Sequence, residues 1–104
     1  MNYEDKSDFE INKVVYVLEF GEWPKCDGNF IYHPTIIGEY NPCNNPRDAW
    51  SVMNNARIEI RRNACQAQIS SYFNPEVVIN CRNDEREILR ATMICFLMMK
   101  DKQC

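Results

Sequence analysis

Apolar positions recur at helical spacing in three stretches of the chain and alternate with polar ones in between. In the first stretch Ile11, Val14, Val15 and Leu18 fall on one stripe, the signature of an amphipathic helix. Ser7-Asp8-Phe9-Glu10 precedes them as a capping box, with Ser7 at the N-cap and Glu10 at N3 reaching back to the Ser7 amide. The pattern predicts a helix over residues 8–20, ended by Gly21 and Pro24. Its β-branched valines make a strand over 14–18 the rival reading.

Residues 21–28 are turn-rich, and Asp27-Gly28 is a turn signal ahead of a strand. Phe30-Ile31-Tyr32 and Ile36-Ile37 are β-prone pieces broken by Pro34. They predict one or two irregular strands at a sheet edge, because proline cannot donate to a ladder. Asn45 then suits an N-cap, and Pro46 suits N1, where a missing amide costs nothing. Asp48 at N3 complements the positive end of that helix. Ala49, Trp50, Val52 and Met53 make the face expected to turn inward, and Asn54-Asn55 ends the helix.

Over 57–62 the sequence RIEIRR sets Ile58 and Ile60 against charged neighbours, a half-buried strand with one wet face. Cys65, Ala67, Ile69 and Ser71 continue the alternation toward Tyr72. Asn74-Pro75 reads as a turn and Val77-Val78-Ile79 as a third strand, so the region predicts an antiparallel meander. A last helix follows, with Asn83 as its cap, Asp84 and Glu85 in its first turn, and Lys100 and Lys102 in its last. Ile88, Leu89, Thr92, Met93, Cys95, Phe96, Leu97 and Met99 form a band wider than one stripe. Such a helix is either laid broadly against a sheet or also buried between two copies in a homodimer. The cluster of Met93, Met98 and Met99 is read as core, part of which could serve as an adaptable interface. The expected fold is α+β, with three helices and an antiparallel sheet of about four short strands, in the order α-β-β-α-β-β-α.

Length and charge narrow the picture. A chain of 104 residues holds one domain, spanning 1–104. Residues 1–56 carry nine acids and four bases, whereas 57–104 carry six acids and eight bases. The acidic total of −3 argues against broad binding of duplex DNA. The opening MNYEDKSDFE has neither the basic nor the apolar region of a secretory signal. Cys26, Cys43, Cys65, Cys81, Cys95 and Cys104 are therefore expected to be reduced thiols of a cytosolic protein. The longest apolar run, within ATMICFLMMK, falls short of the ~20 residues that span a bilayer.

Three strings carry a resemblance: MNYEDKSDFEINKVV, YNPCNNPRDAWSVM and ILRATMICFLMMK. Together they resemble the small bacteriophage NinX-like family, whose recurring features are an opening S/T-DFEIN helix, a central CNNPxDAW segment and a closing LRAAMIxFLMM helix. These fall here at 7–12, 43–50 and 89–99, while 21–39 and 57–81 match no motif. Arg47, Ser51 and Thr92 depart from the pattern. The resemblance implies an α-β-α sandwich and a phage or prophage gene product acting inside the bacterial cell. It brings no catalytic residues.

The candidate chemistry is accordingly that of binding. In NPCNNPRDAW, the Asn44 and Asn45 amides, free backbone amides at a helix start, Arg47 and the Trp50 ring could hold an anion or a nucleotide. The bland reading is that Asn45-Pro46 starts a helix and Trp50 anchors it. Arg57, Arg61 and Arg62 on one strand, and Arg82, Arg86 and Arg90 at helical spacing, could meet phosphates or an acidic partner. Glu59 and Glu87 are near enough to neutralise them. His33 is the lone histidine, and Cys26, His33 and Cys43 lack the close pairing of zinc motifs. No phosphate-binding loop, dinucleotide fingerprint or metalloprotease motif occurs, so neither an enzyme nor a cofactor is expected. Three functions fit these features. The first is an accessory protein that binds a host or phage protein, countering host defence or redirecting host machinery. The second is a sponge for a nucleotide signal, its pocket lined by Tyr40, Trp50 and arginines between subunits. The third is an accessory factor in phage DNA recombination that binds single strands.

Overall fold

A computed structural model of the chain describes residues 3–33 and 38–102; the expected Ile36-Ile37 piece, Pro34 and Cys104 lie outside them. A 3-10 turn at Tyr3–Asp5 leads into α1 (Asp8–Phe20), β1 (Lys25–Asp27) and β2 (Phe30–Tyr32). Then come α2 (Pro46–Asn55), β3 (Ile58–Arg62), β4 (Gln66–Ser71), β5 (Asn74–Arg82) and α3 (Glu85–Lys102). The class is α+β with three helices, as expected. Among the described residues the strands number five and are all antiparallel, in a β1–β2 hairpin and a β3-β4-β5 meander.

The residues at 8–20 form a helix and not the rival strand, because both ends are capped. The Ser7 hydroxyl accepts from the Glu10 amide at 3.2 Å. Gly21 takes a left-handed φ of 77° and its N–H donates to the Val17 carbonyl. The Glu10 carboxylate accepts from the Ser7 hydroxyl at 3.2 Å, a partner other than the expected Ser7 amide. The helix has two apolar faces. Ile11 and Val15 enter the main core, while Phe9 and Tyr16 join Ile31 and Tyr40 in a second cluster under the hairpin. Val14 and Leu18, the rest of the expected stripe, stay 38% and 44% exposed.

The main core is built around α3. It packs on β4 and β5 with one side and on α1 and α2 with the other. Every residue from 88 to 97 is buried except Arg90, which is half-buried. The wide apolar band is thereby accounted for within one chain. In the meander, Ile60, Ile69 and Ile79 stand in register and face this core, with Ala67 and Cys81 one step along. Glu59, Arg61, Gln68 and Asn80 line the opposite, wet face.

Three local expectations are corrected. Asn74-Pro75 opens β5, and the turn falls on Tyr72-Phe73; a bulge shifts the register from Ser70↔Val78 to Ser71↔Asn74. Asp84, not Asn83, starts α3: its carboxylate accepts from the Glu87 amide at 3.1 Å and its carbonyl from the Ile88 amide at 2.9 Å. Asn83 instead ties its side-chain amide to the Asn63 carbonyl at 2.9 Å. Trp50 does not anchor α2. Ala49 and Val52 do so, while the indole is 63% exposed.

Thr92 sits at the centre of α3 with no exposure, and its hydroxyl donates to the Ile88 carbonyl at 2.7 Å. The polar atom is satisfied inside its own helix. Thr92→Ala removes that bond and a methyl group but gains helix propensity, so stability should change by less than about 1 kcal/mol. A shift in the denaturant midpoint corresponding to a larger loss would mean that the hydroxyl has a further role.

Candidate functional site

The segment at 41–48 is stitched to both terminal helices by side chains. The Asn12 amide donates to the Asn41 side-chain oxygen at 2.7 Å, and its own oxygen accepts from the Cys43 backbone at 3.1 Å. The Asn41 backbone N–H donates to Asp48 at 2.8 Å, a buried carboxylate that would otherwise serve only the helix dipole. Asn44 donates to Asp8 at 2.9 Å and to Asn41 at 3.0 Å, and it accepts from Arg86 at 3.2 Å. Arg90 closes the network by pairing with Asp8 and donating to the Lys6 and Glu4 carbonyls. Asn45 caps α2, its side chain accepting from the Arg47 amide at 3.0 Å. Arg47 reaches the adjacent Asp48 at 3.4 Å while its side chain stays 61% exposed.

Of the candidate residues, the structure brings Asn44, Arg86 and Arg90 together. They line an open depression of about 370 Å³ with Asp8, Arg82, Asp84 and Glu87. Arg82 belongs to β5 and not to the helix, yet it completes the arginine row. Three cations face three carboxylates there, and Arg82–Glu87 at 2.6 Å and Arg90–Asp8 are paired. The depression is thus close to neutral, a poor trap for phosphate. Arg61 and Arg62 lie elsewhere, in a shallow depression of about 240 Å³ on the meander with Asn63, Gln66, Gln68 and Asn80.

Tyr40 is at neither place. It is 2% exposed, in a ring cluster with Tyr16 at 5.5 Å and Phe20 at 5.6 Å. A pocket joining Tyr40, Trp50 and the arginines does not form within one chain. The Tyr40 hydroxyl is buried with no hydrogen-bond partner among the described residues, and burial, helped by Glu19 and Asp48, pushes the phenol far above its usual range. An unpaired buried hydroxyl costs stability. Tyr40→Phe should therefore raise stability by about 1 kcal/mol, read as a later denaturant midpoint. A loss of that size would reveal a partner for the hydroxyl.

A different surface stands out by composition. Met53, Asn54, Arg57, Ile58, Glu59 and Tyr72 line a concave spot of about 240 Å³ where α2, β3 and the β4–β5 turn meet. Trp50 lies one helical turn before Asn54 and on the same side of α2. Tyr72 and Phe73 form the turn itself, 72% and 59% exposed, their rings edge to face at 6.0 Å. Arg57 has φ 51°, a positive value that among the described residues is otherwise confined to glycines. For arginine this is a sparsely populated conformation, held here by two bonds. Its N–H donates to the Asn54 carbonyl at 3.2 Å and its carbonyl accepts from the Tyr72 amide at 3.0 Å. The signal in the sequence was Tyr72-Phe73 at a turn, where small polar residues are the rule.

Cys26, Cys43, Cys65, Cys81 and Cys95 are free thiols. Among the described residues no helix is long and apolar enough to cross a membrane, and no three metal-ligating side chains cluster. Fold and site together define a small α+β domain whose distinctive motif residues lock its loops, and whose exposed aromatic residues face outward. The chain belongs to the family described as Bacteriophage P22, NinX, whose model matches residues 2–100. No curated protein and no solved structure matches it. It is accordingly a phage-encoded accessory protein.

Proposed function

We propose that this phage protein is not an enzyme and works by binding a protein of its host or its phage, through the surface of Trp50, Met53, Arg57, Tyr72 and Phe73. The observation that carries this reading is a concave spot lined by Arg57 and a 72% exposed Tyr72, with a 63% exposed Trp50 one helical turn before its Asn54 on α2. Trp, Tyr and Arg dominate the energetic centres of protein interfaces, and Met is enriched with them. Large rings left in water at a turn serve no packing purpose in the free chain. Countering a host defence or redirecting host machinery in the cytoplasm both fit such a surface. The nucleotide-sponge reading has less support, because its expected lining residues are scattered, and the acidic balance of the chain disfavours the recombination reading.

The test is affinity capture from phage-infected cells with the wild-type chain and with Trp50→Ala and Tyr72→Ala. Each variant should lose the captured partner, with affinity falling more than about tenfold, while thermal stability stays unchanged because both side chains are exposed. Recovery of no stoichiometric partner, or equal recovery by both variants, would sink the proposal.

A further inference from the structure

β5 is the longest strand, nine residues, and forms one edge of the meander. Among the described residues no strand pairs with its outer side. Such an edge presents unpaired N–H and C=O groups, and proteins blunt it with lysine, proline or a bulge. Here Pro75 and the bulge sit at the start of the strand. From Val78 to Arg82 the pairing to β4 is regular, and that stretch contains neither lysine nor proline.

We infer that two copies of this chain join edge to edge along β5, antiparallel about a two-fold axis at Ile79, to form one continuous six-stranded sheet. A strand that pairs with its own copy places one residue opposite itself at the axis. With Ile79 there, Glu76 of each copy stands opposite Arg82 of the other, and Val78 opposite Asn80. Glu76, Val78, Asn80 and Arg82 are all exposed and alternate along one face of the strand. On the other face Val77 meets Cys81, and Ile79 meets Ile79. Ile79 and Cys81 are only partly buried by their own chain, so this apolar row gains cover. Neighbouring registers are worse. An axis at Val78 sets Glu76 against Asn80, and an axis at Asn80 sets Glu76 against Asp84, a like charge.

The existing partners of the two ions leave them available. Glu76 lies 3.8 Å from Lys102 with both side chains half or more exposed, a contact that holds little energy. Its carboxylate also accepts from the Asn74 side-chain amide, and two carboxylate oxygens have lone pairs for a further donor. Arg82 meets Glu87 through Nε at 2.6 Å, and a guanidinium has further donors on its Nη groups. The seam is separate from the Trp50 surface, and the inference does not rest on the proposed function.

Sedimentation over a range of concentrations, together with native mass spectrometry, tests it. The wild-type chain should be a dimer. Glu76→Arg and Arg82→Glu should each weaken it roughly tenfold or more, since two symmetry-related pairs turn repulsive. The double variant Glu76→Arg with Arg82→Glu should recover wild-type association. Circular dichroism confirms that each variant folds, and Trp50→Ala should leave the dimer intact. Hydrogen exchange supplies a second reading: β5 amides should be slower at high concentration than after dilution. A wild-type chain that stays monomeric, a dimer indifferent to both reversals, or a double variant no better than the singles would overturn the inference.

Discussion

Asn12→Ala is expected to lower the stability of the fold by about 3 kcal/mol, a fall in Tm of about 15 °C for a domain of this size. Asn12 is 3% exposed, and it uses both ends of its amide, toward Asn41 and toward the Cys43 backbone. Cys43 has no exposure, so the alanine leaves its N–H buried and unpaired, a penalty of about 1–3 kcal/mol. The two lost bonds and the small void account for the rest. The Asn41 oxygen keeps a partner, because Asn44 also donates to it at 3.0 Å. The loss therefore falls mainly on the Cys43 amide. Asn12→Asp should be at least as harmful, since it accepts from Cys43 but cannot donate to Asn41 and brings a charge into the core. A Tm within about 4 °C of wild type for Asn12→Ala would show that the loop does not depend on this residue.

Asn12 also marks the limit of what the sequence made legible. The ends of α1 and the start of α2 are legible because their signals are local. Ser7, Gly21 and Asn45-Pro46 act within a few residues of themselves, and the structure uses each as expected. The meander was readable for the same reason, from Ile58-Ile60 and Ala67-Ile69 alternating in place. The network was not. Asn12 and Asn41 are 29 positions apart, and Asp8 and Arg90 are 82 apart. No periodicity links such pairs. In the sequence Asp8 stands only as the second residue of the Ser7–Glu10 capping box.

Trp50 went astray by a different route. Helical spacing set it beside Ala49 and Val52 on a face assumed apolar, and hydrophobicity settled the assignment. In the folded chain Ala49 and Val52 form the buried face of α2, which packs on α3. Trp50 lies about 100° round the helix from Ala49, and its indole points to solvent. The strand β1 was missed because Lys25-Cys26-Asp27 has little β propensity and exists through its pairing with Phe30–Tyr32. The motif residues and the exposed aromatic surface thus divide the labour. Cys43, Asn44, Asn45 and Asp48 hold the loop, and Trp50, which closes the same motif, points to solvent.

Alkali should strip this protein of most of its stability between pH 9 and pH 11, because two buried thiols must stay protonated. Cys43 and Cys95 both have no exposure. Burial pushes Cys43 to about 12, with Asp8 adding to the rise and Arg90 opposing it, and burial alone pushes Cys95 to about 11. In the unfolded chain a thiol ionises near pH 8.5. Above that pH the unfolded state releases protons that the folded state retains, so the unfolded state binds fewer, and stability falls as pH rises. Each thiol removes about 1.4 kcal/mol per pH unit, starting near pH 9. The Cys95 contribution levels off near pH 11 and that of Cys43 near pH 12. By pH 11 the two together should cost about 5 kcal/mol, comparable to the whole stability of a small domain. Tyr40, also raised by burial, adds to the loss above pH 10, the ordinary phenol range. Denaturant titrations at pH 8, 9, 10 and 11 measure the slope directly. The double variant Cys43→Ala with Cys95→Ala starts from lower stability, because it leaves voids, but its decline between pH 9 and 10 should be much shallower. A wild-type curve flat to pH 11, or a slope untouched by removing both thiols, would mean that neither group is held neutral by the fold.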